Sequence, residues 1–220
     1  MKIEEYLSTL PSNILSGEEI QIPPDSIREI FRFADLGEND VFYHLGCGEG
    51  TSLSIARQEF NVKSAVGIDN SKKMIDNAKK SIENDKISNV RLIEQDVLEA
   101  DLSDASVILC WFMDPDIMES LMEKFGKLGD DVKIITIWAP LPGCLPQKVD
   151  FPYIMNNTPF VETDDLKKQL LAVFETECIG FVTAWEYAER YTKSIGRDNP
   201  ENDRFLVIIQ ALTIWINAKN

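Results

Sequence analysis

The chain holds one histidine, His44, and four cysteines, at positions 47, 110, 144 and 178. No two cysteines are close enough in sequence to form a metal knuckle or a redox pair. A zinc site needs nitrogen or sulfur ligands that this sequence hardly offers, so no metal is expected. The cysteines read as reduced and buried, which fits a cytoplasmic protein. Nowhere is there an apolar run of about 18 or more residues, so no membrane span is expected. The first residues, Met-Lys-Ile-Glu-Glu-Tyr, lack the basic start and apolar stretch of a secretory signal. Basic residues are scarce: 22 Lys and Arg stand against 37 Asp and Glu, a formal net charge of −15. Such a surface repels phosphate backbones and disfavours a broad nucleic-acid footprint. The charge either serves solubility alone or attracts a basic partner, including a lysine-rich protein segment.

What remains is an ordinary globular composition. The 220 residues, 44% of them hydrophobic and 27% charged, suit one folded domain with additions at its ends. The first 24 residues read as irregular, broken by Pro11, Pro23 and Pro24. A helix then begins near Asp25 or Ser26, either of which can cap it, and Gly37 can close it. Its stripe is Ile27, Ile30, Phe31 and Ala34.

From there strands and helices alternate. Val41–Leu45 reads as a buried parallel strand. A helix follows from about Thr51 to Phe60, then a strand over Ala65–Ile68 ending in Asp69. Ser71 is placed to cap a helix bearing Met74, Ile75, Ala78 and Ile82 on one face. Strands at Val90–Ile93, Val107–Phe112 and Lys133–Trp138, with a helix over Ile117–Phe125, complete the pattern. This order predicts an α/β fold: a doubly wound, mainly parallel sheet with helices on both faces.

After Trp138 the pattern changes. Ala139–Pro146 reads as a loop, and Phe151–Val161 can supply one or two sheet-edge strands. Asp164–Glu175 reads as a helix with Leu166, Leu170, Val173 and Phe174 on one face. Thr183–Tyr191 and Arg204–Asn217 read as further helices, although Phe205–Ile209 alone fits a strand equally well. The segment from Phe205 through Trp215 is apolar nearly all round, so it must bury itself in this chain or against a second copy. The expected division is therefore a domain over 1–162 and a helical extension over 163–220, packed on that domain or at a homodimer interface.

The chemistry concentrates in Val-Phe-Tyr-His-Leu-Gly-Cys-Gly-Glu-Gly, residues 41–50. Gly46, Gly48 and Gly50, between a strand and a helix, let the backbone turn sharply and approach a ligand. In a doubly wound sheet a nucleotide-like ligand lies in this first crevice. Asp69, ending the second strand, can accept hydrogen bonds from ribose hydroxyls. Asp96, after the third, can face the adenine end. Either aspartate alone would be only a solvated strand end; together, in this order with the glycine turn, they point to an adenosine ligand. A dinucleotide fingerprint needs glycines at its first, third and sixth positions, but here they fall at first, third and fifth, with Thr51 at the sixth. The phosphate-binding loop pattern with its lysine is also missing. The ligand is thus expected to carry no pyrophosphate.

On His-Leu-Gly-Cys-Gly-Glu-Gly (44–50), Gly-Ile-Asp-Asn-Ser (67–71) and Glu-Gln-Asp-Val-Leu (94–98) the chain resembles the seven-strand, Rossmann-like class I methyltransferases, from about Ile22 to Pro146. Within them it is most similar to the protein-lysine methyltransferases of archaea and mitochondria. Three stretches carry that likeness: Ile-Pro-Pro-Asp-Ser (22–26), where the family has a proline-containing segment over the cofactor; Trp-Phe-Met-Asp-Pro-Asp (111–116); and Trp-Ala-Pro-Leu-Pro-Gly-Cys-Leu-Pro (138–146). The resemblance implies S-adenosylmethionine as cofactor, held by His44, Gly46, Cys47, Gly48, Gly50, Asp69, Asn70, Asp96, Val97 and Trp111. It also implies an acceptor channel near Pro24, Phe112, Trp138 and Pro140.

The family usually has an acid where this chain has His44. That acid orients the glycine loop and the cofactor's amino-acid end. The histidine is either a direct contact or a satisfied, half-buried residue, neutral or charged, and Glu49 can take over part of the acid's role. Aromatic faces at Trp111, Phe112 and Trp138 can hold a sulfonium or ammonium, each worth roughly 0.5–2 kcal/mol, while alternate members pack in the core. Asp114 and Asp116 either attract a basic peptide or cap the next helix. The leading expectation is methyl transfer to a protein lysine. The alternatives are a small-molecule methyltransferase, a cofactor-binding protein without catalysis and, more distantly, a nicotinamide dehydrogenase.

Overall fold

The computed structural model describes residues 21–112, 115–137, 140–150 and 152–174. Residues Gln21–Val173 form one compact unit. The helices expected over Thr183–Tyr191 and Arg204–Asn217, the extension over 163–220 beyond its first helix, and the homodimer interface assigned to it lie outside the described residues, as do Trp138 and Asp114.

Helix α1 spans Pro24–Phe33 and strand β1 Val41–Leu45; α2 covers Thr51–Gln58 and β2 Ser64–Asp69. Helix α3 (Lys72–Asn84), β3 (Val90–Glu94), β4 (Val107–Cys110), α4 (Pro115–Phe125) and β5 (Lys133–Ile137) follow. Short strands β6 (Cys144–Leu145), β7 (Lys148–Asp150), β8 (Tyr153–Asn157) and β9 (Val161–Glu162) precede α5 (Leu166–Phe174). The main sheet has seven strands in the order β3-β2-β1-β4-β5-β8-β7. The first five are parallel, and β8 and β7 add in antiparallel sense. The order reverses between β1 and β4, so the crevice at the carboxyl end of β1 is the topological switch point where doubly wound sheets bind ligands.

Alternation along β1 supplies both faces. Phe42 joins a core with Ile27, Ile30 and Phe31 of α1 and Leu53 and Ala56 of α2. Tyr43 and Leu45 join the opposite core with Val66, Ile108, Leu121 and Phe125. The Phe31 and Phe42 rings meet edge-on, with centroids 4.9 Å apart, a geometry in which the ring edge faces the π cloud. Lys133 and Lys148 fasten α1 to the sheet: their ammonium groups donate to the carbonyls of Ala34 (2.7 Å) and Phe33 (2.5 Å). Cations at these terminal carbonyls also complement the helix dipole.

The ends of α1 differ from expectation. Neither Asp25 nor Ser26 is the cap. Pro23 occupies that position with no side-chain cap bond, and Pro24 is the first helical residue, where its missing N–H removes one orphan donor. Asp25 instead accepts from Arg28 at 3.0 Å. Nor does Gly37 close the helix. Asp35, at φ 51°, takes the left-handed position, with Leu36 N–H donating to Phe31 and Asp35 N–H to Arg32, the two bonds of a Schellman ending. Aspartate tolerates that conformation better than most residues, so no glycine was required.

Two further corrections concern the segment after β5. Ala139–Pro146 is not all loop, because Cys144–Leu145 pairs with Val161–Glu162. Tyr153–Asn157 is not an edge strand. It lies between β5 and β7, since Lys148–Asp150 turns back as a hairpin partner and takes the edge itself.

Candidate active site

The glycine turn is held in place by its neighbours. Gly46, Gly48 and Gly50 all have positive φ, at 76°, 53° and 77°, conformations that a side chain would strain. The amides of Gly46 and Cys47 both donate to the Ile68 carbonyl, at 2.8 and 3.0 Å, and that of Gly50 to Cys47 at 3.0 Å. Gly48 N–H donates to Asp69 Oδ2 at 2.9 Å, while Asp69 Oδ1 accepts from Ser71 N–H at 2.9 Å. Asp69 thus links the glycine turn, the end of β2 and the start of α3, whose cap is Ser71.

The pattern of used donors bears on the ligand. A pyrophosphate needs free loop amides aimed at it. Here the amides of residues 46, 47, 48 and 50 are already satisfied within the protein. The carboxylate of Asp69 can accept more than the two bonds it has, because two oxygens carry about four lone-pair sites. With these four amides taken up and a carboxylate that still offers acceptor sites, the turn fits an adenosine bound through its ribose. The residues that could hold it are the glycine turn, Asp69, the exposed Asn70 and the turn after β3. In that turn exposed Asp96 caps Leu98 N–H at 2.9 Å, and Val97 is buried.

Gly67, beside His44 in the sheet register, proves to be a packing requirement. A Cβ there would lie 2.5 Å from Leu53 Cδ1 and 2.7 Å from Cys47 Sγ. Cys47 is itself 3% exposed, and burial, followed by the charge of Asp69, pushes its thiol pKa up to about 12. It stays a thiol that packs the turn onto the sheet. Cys110 and Cys144 are likewise buried and free.

At the end of β4 the two aromatic residues part. The Phe112 ring stands 3.4 Å from where a Cβ on Gly46 would be, so it packs over the turn. Trp111 is half-buried against the α1 and α2 core. Pro140 is half-buried and Pro24 exposed. Glu49 is exposed and accepts from Asn77 of α3 at 3.0 Å.

His44 is 6% exposed, with Nδ1 2.6 Å from the hydroxyl of Ser52, itself 1% exposed. Burial lowers its pKa from 6.5 to about 4, so the ring is neutral at neutral pH. The consequence for stability has a definite sign. Below pH 6.5 the unfolded chain takes a proton that the folded chain refuses, so stability falls with pH down to about pH 4. Replacement by Asn removes that proton site, and on this ground wild type should lose about 2 kcal/mol more than His44→Asn between pH 7 and pH 5. Urea unfolding of both at the two pH values measures it; equal losses would mean that His44 is charged in the fold.

Sequence reasoning missed Ser52, Gly67 and Gln21. Ser52 follows the glycine turn at a helical position that faces the core, a signal visible only once its face is known. Gln21 places its amide in the space a Cβ on Gly48 would need, with Nε2 3.9 Å from Met74 Sδ.

Residues 44–148 match the family model of the ANTKMT methyltransferase domain. A protein-lysine N-methyltransferase of Saccharolobus islandicus (strain REY15A) is 27% identical over 132 residues, covering 59% of this chain and 81% of its own. Among solved structures, an RNA methyltransferase from Salinibacter ruber in complex with S-adenosyl-L-homocysteine superposes with a TM-score of 0.61 at 23% identity. That superposition covers 67% of this chain and 99% of the other.

Proposed function

We propose that this chain, a class I S-adenosylmethionine-dependent methyltransferase, transfers its methyl group to a lysine side chain of a protein. The observation that carries the substrate class is the likeness to the S. islandicus enzyme, which extends over most of that protein's length. The charge of −15 supports it, because a strongly acidic surface attracts a lysine-rich segment. The same charge speaks against RNA as acceptor, and the likeness to the S. ruber enzyme is one of fold.

S-adenosylmethionine, when bound, supplies a methyl group on a sulfonium, ready for in-line displacement. The chain's own task is then alignment and exclusion of water. In this reading Gly46, Gly48 and Gly50 admit the cofactor close to the backbone, Asp69 accepts from its ribose, and Asp96 and Val97 border its base. Phe112, packed over the glycine turn, would help to keep water from the bound cofactor. The buried thiols favour a cytoplasmic setting.

Incubating the protein with methyl-labelled S-adenosylmethionine and basic host proteins tests the substrate class. Label is expected in protein, recovered on digestion as methylated lysine. Label found only in small metabolites, or only in RNA, would refute the lysine assignment while leaving the methyltransferase in place.

A further inference from the structure

We infer that His44 serves the cofactor site at one remove: its hydrogen bond to Ser52 locks the two ends of the glycine turn together, which makes it a positioning residue and not a ligand contact. His44 is the fourth residue of β1, and Ser52 is the second residue of α2. Between them lie the three left-handed glycines of the turn. Glycine has the most conformational freedom to lose, so such a turn is costly to hold in one shape. A turn already held before the ligand arrives binds more tightly, because that ordering cost is not charged to the complex.

The other fastenings of the turn lead elsewhere. Gly46, Cys47 and Gly48 are tied to the end of β2, and Glu49 to α3. The bond between His44 and Ser52 runs from β1 straight to α2, across the turn, so it fixes where the helix starts relative to the strand. It is short, at 2.6 Å, and both partners are buried. Water does not compete for it, and loss of either partner strands the other in the core. The packing around it is consistent. Gly67, the register neighbour of His44, has no side chain, and Cys47 and Leu53 fill the space beside it. The imidazole also lies 6.4 Å from the Phe42 ring, within the core beneath the helices. Its neutrality at physiological pH agrees with a structural hydrogen bond and removes any duty as a counter-charge to a ligand.

Two replacements separate the two nitrogens. The terminal amide of Asn reaches the place of Nδ1, and that of Gln the place of Nε2. The experiment is calorimetric titration of the full chain with S-adenosylhomocysteine, together with steady-state kinetics. His44→Asn should restore affinity to within about twofold of wild type. His44→Gln, His44→Ala and Ser52→Ala should each weaken it about tenfold, the scale of one buried hydrogen bond. The double variant His44→Ala/Ser52→Ala should be no weaker than either single one, because they break the same link. KM for the methyl donor should rise with kcat nearly unchanged, as expected for lost preorganisation of binding. A remote core variant, Phe125→Leu, matched in thermal stability, should leave the affinity alone and so separate positioning from general destabilisation. Ser52→Ala removes a single hydroxyl, so it keeps the test open even if the histidine variants fold poorly. Unchanged affinity in Ser52→Ala would overturn the inference, as would a His44→Gln variant that binds normally beside a His44→Asn variant that does not. Failure of the wild type to bind would overturn the cofactor reading itself.

Discussion

Asp69→Ala is expected to weaken S-adenosylhomocysteine binding by a hundredfold or more. In the structure this carboxylate accepts from Gly48 N–H and Ser71 N–H, both at 2.9 Å. Hydrogen bonds to an ionised acceptor contribute roughly 1.5–3 kcal/mol each. Removing the carboxylate releases the middle of the glycine turn, uncouples it from the start of α3 and deletes the acceptor assigned to the ribose. Three losses at one residue exceed any single contact elsewhere in the site. Asp69→Asn keeps one carbonyl acceptor, so it should fall between wild type and Asp69→Ala. Equilibrium binding decides the matter, and an affinity for Asp69→Ala within a fewfold of wild type would end the assignment. Thermal stability should fall much less, since Asp69 is part-exposed and the sheet register does not depend on its side chain.

The second large effect is expected from Gly67→Val. This glycine lies mid-strand in a parallel sheet with ordinary backbone angles, so the cost is space and not conformation. A Cβ alone would come within 2.5 Å of Leu53 and 2.7 Å of Cys47. Overpacking of this kind typically costs about 1–3 kcal/mol. The direction of relief matters more than its size. Leu53 belongs to α2 and Cys47 to the turn, so the cheapest relaxation lifts both off the sheet and opens the cofactor crevice. Thermal unfolding should show a drop of several degrees, and binding of S-adenosylhomocysteine should fall together with it. A variant that loses stability but binds normally would mean the strain is absorbed away from the turn.

Much of this was legible in the sequence. The alternation of apolar runs and amphipathic stretches dictated the five parallel strands and their helices, because each period buries a recognisable face. The spacing of Gly46, Gly48 and Gly50 already spoke against a dinucleotide. Less legible were the features that depend on partners distant in sequence. Asp35 closes α1 at an end that Lys133 and Lys148, far along the chain, hold to the sheet. The strand at Lys148–Asp150 exists because Tyr153–Asn157 folds back on it; at three residues it has too little pattern of its own. Trp111 and Phe112 are adjacent in sequence, yet strand alternation sends them to different cores, and Phe112 packs over the glycine turn.

His44 shows where the line falls. The sequence alone determined that a histidine stands at the carboxyl end of the first strand, beside a glycine turn that needs holding, in a sheet whose first crevice binds an adenosine. It left open whether that ring is charged and whether it faces ligand or core. Tertiary structure puts the ring in the core. Burial makes the charged form costly, and α2 brings a buried hydroxyl within 2.6 Å of Nδ1. A side chain's protonation and its partner are properties of the surrounding space, which exists only after strand and helix have packed.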